Sequence, residues 1–164
     1  MNTFRLRVAS AIGPWVVEGD DDGLTAIHLP NDRVRASTGT PPAAVAEAAR
    51  QLTEYFDGSR QSFDVDLHLT GTAFQQEVWL ALAAIPFGQV RTYGDIAATL
   101  GRPHAYRAVG NANGKNPWPI IVPCHRVVGA GTIGGYAGGL DVKEFLLALE
   151  GVTRVDIAKT ATSR

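Results

Sequence analysis

Cys124, His125 and Arg126 place a thiol, a base and a cation at three consecutive positions, and Cys124 is the only cysteine of the 164-residue chain. A thiol attacks as its thiolate, so a reactive cysteine needs a base, a cation or a helix N-terminus close by to bring its pKa down from about 8.5. Without them, a lone cysteine is a small buried hydrophobe. Ile120, Ile121 and Val122 before the cysteine and Val127 and Val128 after it are β-branched and read as buried extended flanks. Pro117, Pro119 and Pro123 each remove a backbone donor, which makes the run into Cys124 irregular and stiff. Adjacency is not contact, because side chains at i and i+1 of an extended chain point to opposite faces; Cys124 and His125 can cooperate only through a turn or a water. A histidine that acts as a base also wants a carboxylate on its other ring nitrogen. The candidate is Glu150, which sits at the C-terminus of an apolar helix, where the dipole disfavours an acid and some other partner must hold it.

The elements that must bring these groups together follow from periodicity and punctuation. Phe4–Ala9, Pro14–Glu18 and Leu24–Leu29 read as three short strands of an antiparallel meander, and Asn31–Pro42 as a polar linker. Residues 42–56 carry Val45, Ala49, Leu52 and Phe56 at helical spacing, with Gly58 as the stop. Phe63, Val65, Leu67 and Leu69 alternate with polar residues as in a strand with one wet face. A helix from Thr72 to Ala84 buries Phe74, Val78, Leu82 and Ile85. Thr92 to Asp95 has the spacing of a capping box and opens a short helix. Gly101-Arg102-Pro103 turns the chain into a second helix, about His104 to Asn113, with Gly114 at its C′ position; the pair has the helix-turn-helix pattern. Ala105, Ala108, Gly110 and Ala112 are read as the outer positions of that second helix, too short to read base edges but permitting close backbone approach. The last helix, Leu140–Leu149, buries Val142, Phe145, Leu146 and Leu149, and the residues from Val152 onward read as a loosely ordered tail.

Composition excludes several classes. No apolar run is long enough to cross a membrane, the N-terminus lacks a secretion signal, and one cysteine forbids an internal disulfide, which together imply a cytoplasmic protein. The net charge is −1, yet residues 88–126 carry Arg91, Arg102, Arg107, Lys115 and Arg126 against the single anion Asp95, a local +4 that permits a basic face. Asp20-Asp21-Asp22 reads as an acidic turn, and His28 and His68 lack ligand-spaced neighbours, so no metal is assigned. The loop from Gly129 to Gly139 has six glycines in eleven residues but neither a P-loop lysine nor a Rossmann context, which excludes a nucleotide cradle.

Pro-Cys-His-Arg-Val-Val, preceded by Asn-Gly-Lys-Asn-Pro and followed by Gly-Gly-Tyr-Ala-Gly-Gly-Leu, closely resembles the active-site region of the O6-alkylguanine-DNA alkyltransferases. The resemblance runs from about Thr72 to Glu150 with four motifs in fixed order, while the first seventy residues agree only in general pattern. It implies an α+β protein: residues 1–70 form a domain with a small antiparallel sheet and a helix (ribonuclease H-like), residues 71–155 form a helical DNA-binding and alkyl-acceptor domain with a helix-turn-helix, and a tail covers 156–164. The implied activity is irreversible transfer of an alkyl group from guanine O6 in DNA to Cys124, once per molecule and without a cofactor. Cys124 attacks, His125 takes its proton through water, Glu150 orients His125, Asn116 braces the turn, and Tyr93 protonates the departing base. The implied partner is double-stranded DNA entered from the minor groove. Arg107 fills the gap left by the flipped nucleotide, and Ala105, Ala108, Gly110, Tyr93 and Arg126 add DNA contacts. Tyr136, Ala137 and Val127 line the base pocket; many relatives carry serine where Ala137 stands, so backbone contacts replace a hydroxyl there. The protein is expected to be a monomer in solution that assembles on DNA and, in a bacterium, associates with the nucleoid. Two rival readings remain: a non-enzymatic alkylated-DNA-binding factor of the alkyltransferase-like type, against which Cys124 argues, and a cysteine hydrolase or peroxidase, which lacks an oxyanion-hole motif or a resolving cysteine.

Overall fold

The computed structural model describes residues 3–162, a mixture of one three-stranded antiparallel sheet, one short parallel pair and six α-helices among the described residues. Two compact units are present: Met1–Leu69 with Pro117–Pro119, and Thr70–Asn116 with Ile120–Arg164.

In the first unit, β1 (Phe4–Val8), β2 (Trp15–Asp20) and β3 (Gly23–His28) pair in sequence order. The edge strand β1 alternates between partly buried and exposed residues, whereas Trp15, Val16 and Val17 of the central strand are all buried, so only β1 shows a wet face. The register slips between Glu18 and Gly19, and Gly19 is required there: a Cβ would stand 2.4 Å from the Gly23 carbonyl oxygen. Helix α1 (Ala43–Asp57) covers the sheet with Val45, Ala48 and Leu52 and ends at Gly58, which adopts φ +88°. Residues 117–119 belong to this core. Ile27 N donates to the Pro117 carbonyl at 2.8 Å, and the buried Trp118 indole donates to the Leu24 carbonyl at 3.0 Å. The strand expected over Phe63–Leu69 reduces to one parallel bridge, Leu24 to Leu67. The alternation survives only as partial burial of Phe63, Val65 and Leu67, with Leu69 exposed, and only Asp66 O and His68 N meet backbone of β3, both at Leu24, so no ladder forms.

The second unit packs α2 (Ala73–Ala83), α3 (Tyr93–Thr99) and α4 (Tyr106–Gly114) against one another. Thr72 and Thr92 cap α2 and α3 with boxes closed by Gln75 and Asp95. Trp79 rather than Phe74 completes the buried stripe of α2, and its indole donates to the Ala112 carbonyl at 2.8 Å. Helix α4 begins two residues later than its periodicity predicts and includes Gly114, with Lys115 as its C-cap. The parallel pair β4 (Arg91–Thr92) and β5 (Val127–Val128) ties the start of α3 to the residues that follow Cys124. Helix α5 spans Leu140–Leu149. The tail expected to be loose instead forms α6 (Arg154–Lys159), because Thr153 and Asp156 build a third capping box. No helix among the described residues is long and apolar enough to cross a membrane.

Candidate active site

The chain enters the site through a strained turn. Ile120 is buried with φ +76°, a region that β-branched residues rarely occupy, so the surrounding structure has to impose it. Asn116 Nδ2 donates to the Val122 carbonyl at 2.7 Å across the turn, and Cys124 N donates to the same carbonyl at 2.8 Å. Cys124–Arg126 then form a 3₁₀ turn, not an extended segment. With three residues per turn, adjacent side chains diverge by about 120°, so Cys124 and His125 leave the turn toward different neighbours. The Cys124 side chain is buried, and its sulfur lies 3.9 Å from the Tyr136 hydroxyl. Burial pushes the thiol pKa up, while hydrogen bonds from Asn116 and Tyr136 and the charge of Lys143 oppose that rise.

His125 has no exposed surface, and its Nε2 meets Glu150 Oε2 at 2.6 Å. Arg126 joins the same carboxylate, with Nε donating to Oε1 at 2.8 Å and Nη2 to Oε2 at 3.0 Å. Gly88 N adds a fourth hydrogen bond at 3.2 Å. Burial alone would raise the Glu150 pKa, but His125 and Arg126 outweigh it and hold the carboxyl well below the usual range. Burial pulls the His125 pKa down, against the raising effect of Glu150. A carboxylate only accepts, so Nε2 carries the imidazole proton and Nδ1 keeps the free lone pair. Nδ1 has no hydrogen-bond partner among the described residues, which makes it the basic atom of the cluster.

Tyr93 enters from the other side of the parallel pair. Thr92 is opposite Val128, so the first residue of α3 is delivered beside the cysteine turn. Burial raises the Tyr93 hydroxyl pKa, a hydrogen bond from the Gly135 backbone opposes this, and the charge of Cys124 adds to the rise. Gly134, at φ +73°, passes so close that a Cβ would lie 3.2 Å from the Tyr93 oxygen. Tyr93 also borders a cleft of about 540 Å³ with Tyr106, Pro103 and Gly129. Tyr136 is partly buried and Ala137 exposed on the glycine-rich loop.

Arg107 and Ala108 are exposed on α4, Ala105 and Gly110 half-buried, and the Arg107 guanidinium lies 6.0 Å from the Tyr106 ring centre. Three expected placements require correction. Arg126 cannot touch DNA: it is buried, its Nη1 donates to the Ile85 carbonyl at 2.6 Å, and the rest of its guanidinium is committed to Glu150. Ala112 is not an outer position, because the face of α4 that carries it packs on Trp79. Val127 offers no side-chain surface, so it can contribute to a pocket only through its backbone.

Three features were not legible in the motifs. Asn113 is buried, and its Nδ2 donates to the Cys124 carbonyl at 3.4 Å. Lys143, inside an apolar helix, has no exposed surface and donates to the carbonyls of Val127 and Gly135 at 2.7 and 2.9 Å. In the first unit, Asp20, Asp22 and His68 bring two carboxylates and an imidazole within 4.8 Å, a set that could hold a cation although no sequence spacing announces it. There His68 Nε2 meets Asp20 Oδ1 at 2.7 Å, so the cluster is already satisfied as an ion pair. The apolar spacing of α5 was the only available signal for Lys143, since position 143 lies one step from Val142 and three from Leu146 on its buried face.

Residues 73–152 match the family described as "6-O-methylguanine DNA methyltransferase, DNA binding domain". A methylated-DNA-protein-cysteine methyltransferase of Methanosarcina acetivorans is 51% identical over 149 residues, covering 87% of this chain and 94% of that one. The protein of the same name from Mycobacterium tuberculosis is 49% identical over 147 residues, covering 87% and 89%. Among solved structures, Mycobacterium tuberculosis O6-methylguanine methyltransferase superposes with a TM-score of 0.79 at 45% identity, over 91% of this chain and 93% of that one. Mycobacterium tuberculosis OGT in complex with DNA gives 0.80 at 45% identity, over 92% and 96%.

Proposed function

Because the chain belongs to the 6-O-methylguanine DNA methyltransferase family, we infer that Cys124 is its alkyl acceptor and that His125, Glu150 and Tyr93 carry the protons of the transfer. The protein binds DNA and repairs it by moving an alkyl group from alkylated guanine to a cysteine of its own. A pure lesion-binding role is not favoured, since the relatives at about half identity are named as methyltransferases.

The observation that carries the assignment is the Glu150 carboxylate, which by accepting Nε2–H aims the lone pair of His125 Nδ1 away from itself. The Cys124 proton passes to Nδ1 through a water, and the imidazolium that forms lies against an ionised carboxylate. The sulfur then attacks the alkyl carbon as the bond from that carbon to O6 breaks, and the departing guanine takes a proton from the Tyr93 hydroxyl, whose oxygen regains one through solvent as the His125 imidazolium gives up its own. The product is a thioether with no easy hydrolytic route, so each molecule turns over once. Asn116 and the strained Ile120 hold the sulfur in place by fixing the turn.

For base access, the O6-alkylguanine flips from the duplex into a site bounded by Tyr136 and the backbone about Ala137. The exposed Arg107 enters the stack from the minor groove, and Ala105, Ala108 and Gly110 permit close approach. The α3–α4 pair serves as the helix-turn-helix, and the first unit is the ribonuclease H-like half of the fold. Incubation with duplex carrying labelled O6-methylguanine tests the whole scheme. The expected result is one label per protein on the peptide containing Cys124; several turnovers, or label elsewhere, would overturn it.

A further inference from the structure

One buried charge has no role in the relay. Lys143 of α5 is fully buried, and no carboxylate among the described residues pairs with it. Asp141 and Glu144 on its own helix are exposed, and Glu150 is engaged by His125 and Arg126. That triad is electrically neutral when His125 is neutral, so it offers Lys143 no net countercharge. Burial pushes the Lys143 ammonium down to about 8, opposed only by the charge of Cys124. Its two hydrogen bonds join the segment that follows the cysteine turn to the loop that carries Tyr136. Val127 follows the cysteine turn directly, and Gly135 precedes Tyr136, whose hydroxyl lies 3.9 Å from Sγ. A fold that only needed to close this gap would do so more cheaply with an apolar residue, since an unpaired buried charge is strongly unfavourable.

Resting on the assignment of Cys124 as acceptor, we propose that Lys143 is a positioning residue for the transfer: it clips the Tyr136 loop to β5, and its ammonium is the buried countercharge of the Cys124 thiolate. While the sulfur is a thiol, the ammonium is uncompensated. When the proton leaves Sγ for His125, thiolate and ammonium balance, so the field of Lys143 favours ionisation of the one group that must ionise. Alkylation reverses the balance: the S–C bond forms, the neutral thioether replaces the thiolate, and Lys143 again has no counterion. Lys143 thus meets the carbonyls of Val127 and Gly135 and interacts electrostatically with Cys124 of the 3₁₀ turn.

Cys124 is the only cysteine, so its capture by iodoacetamide reports its thiolate fraction without DNA. In Lys143→Met, the midpoint of capture rate against pH should move up by about one unit or more, so that capture below the midpoint slows about tenfold. Lys143→Arg, which keeps the charge, should stay within about threefold of the natural protein. A folded Lys143→Met with an unmoved midpoint would overturn the proposal. Should that variant not fold, the natural protein answers alone: the NMR titration of the Lys143 ammonium should shift to lower pH after S-methylation of Cys124 with methyl iodide, and an unmoved titration overturns it. If duplex transfer is absent while the iodoacetamide profile shifts as expected, the charge coupling stands and the acceptor assignment falls.

Discussion

The cluster beneath Cys124 and the outer face of α4 use polar groups in opposite ways. Around Glu150, four donors converge on one buried carboxylate, and no atom of it is free to meet a ligand. On α4, Arg107 stands exposed beside Tyr106, and its neighbours Ala105 and Ala108 contribute almost no side chain. The first region couples the proposed chemistry to stability, because the groups proposed to carry its protons also satisfy one another's burial. The second separates them, since residues that wait for a partner can change without disturbing the fold.

The sharpest break of that contrast is Glu150→Ala. It leaves a guanidinium buried without its counterion and should cost about 3–5 kcal/mol. At 2–4 °C per kcal/mol for a chain of this size, the melting temperature should fall by roughly 6–20 °C, with transfer lost in the same variant. A thermal scan within 2 °C of the natural protein would mean the cluster relaxes freely and the coupling is absent.

Alkylation of Cys124 is the next largest effect. An added methyl enters a buried site beside a strained turn, and overpacking costs about 1–3 kcal/mol. The melting temperature should drop by several degrees, and further for bulkier adducts. Scans before and after reaction with a small alkylguanine check this, and an unchanged value would show spare room at the sulfur.

Acid should loosen the cluster more gently. Burial sets the folded pKa of His125 below the unfolded value of about 6.5, so the unfolded chain binds the proton first. Stability is therefore complete above pH 6.5 and falls below it by at most about 1.4 kcal/mol per pH unit until His125 itself titrates. Glu150, also depressed, extends the loss from about pH 4.3 downward. His68 is raised by Asp20 and acts with the opposite sign near neutrality, but it is partly solvent-exposed and in the other unit. Melting scans from pH 7 to 5 should show the decline in the natural protein, and a flat profile would place His125 in solvent.

Arg107→Ala should be the mildest change in stability, within about 0.5 kcal/mol, as expected for a surface site. Its effect belongs to the duplex under the proposed role: repair of O6-methylguanine in double-stranded DNA should slow about tenfold or more relative to reaction with the free modified base, because a side chain inserted in the stack offsets part of the cost of flipping. Equal slowing on both substrates would remove Arg107 from the stack and weaken the contrast between the regions.

Much of the molecule could be read from local chemistry. Thr72, Thr92 and Gly58 mark helix ends because capping is settled within four residues. The proximity of His125 and Glu150 was inferable because an acid at a helix C-terminus needs a reason to be there. The same reasoning failed for Arg126, since a positive charge beside an active-site motif fits DNA and a buried carboxylate equally well until the direction of the side chain is known. Phe63–Leu69 failed otherwise: alternation records which side of the chain is buried, whereas a strand needs a neighbour along its whole length.

By itself, then, the sequence determined the residue types available for chemistry, the helices with their caps, and the family through motifs in fixed order. The tertiary structure alone decided the direction of each charged side chain. Only the turn at Cys124–Arg126 sends Arg126 inward to Glu150, and only the packing of α5 turns Lys143 toward the carbonyls of Val127 and Gly135 instead of toward water. Periodicity is a property of one segment, but the burial of a charge depends on what other segments place around it, and those partners lie 8 to 41 positions away for Lys143 and Arg126.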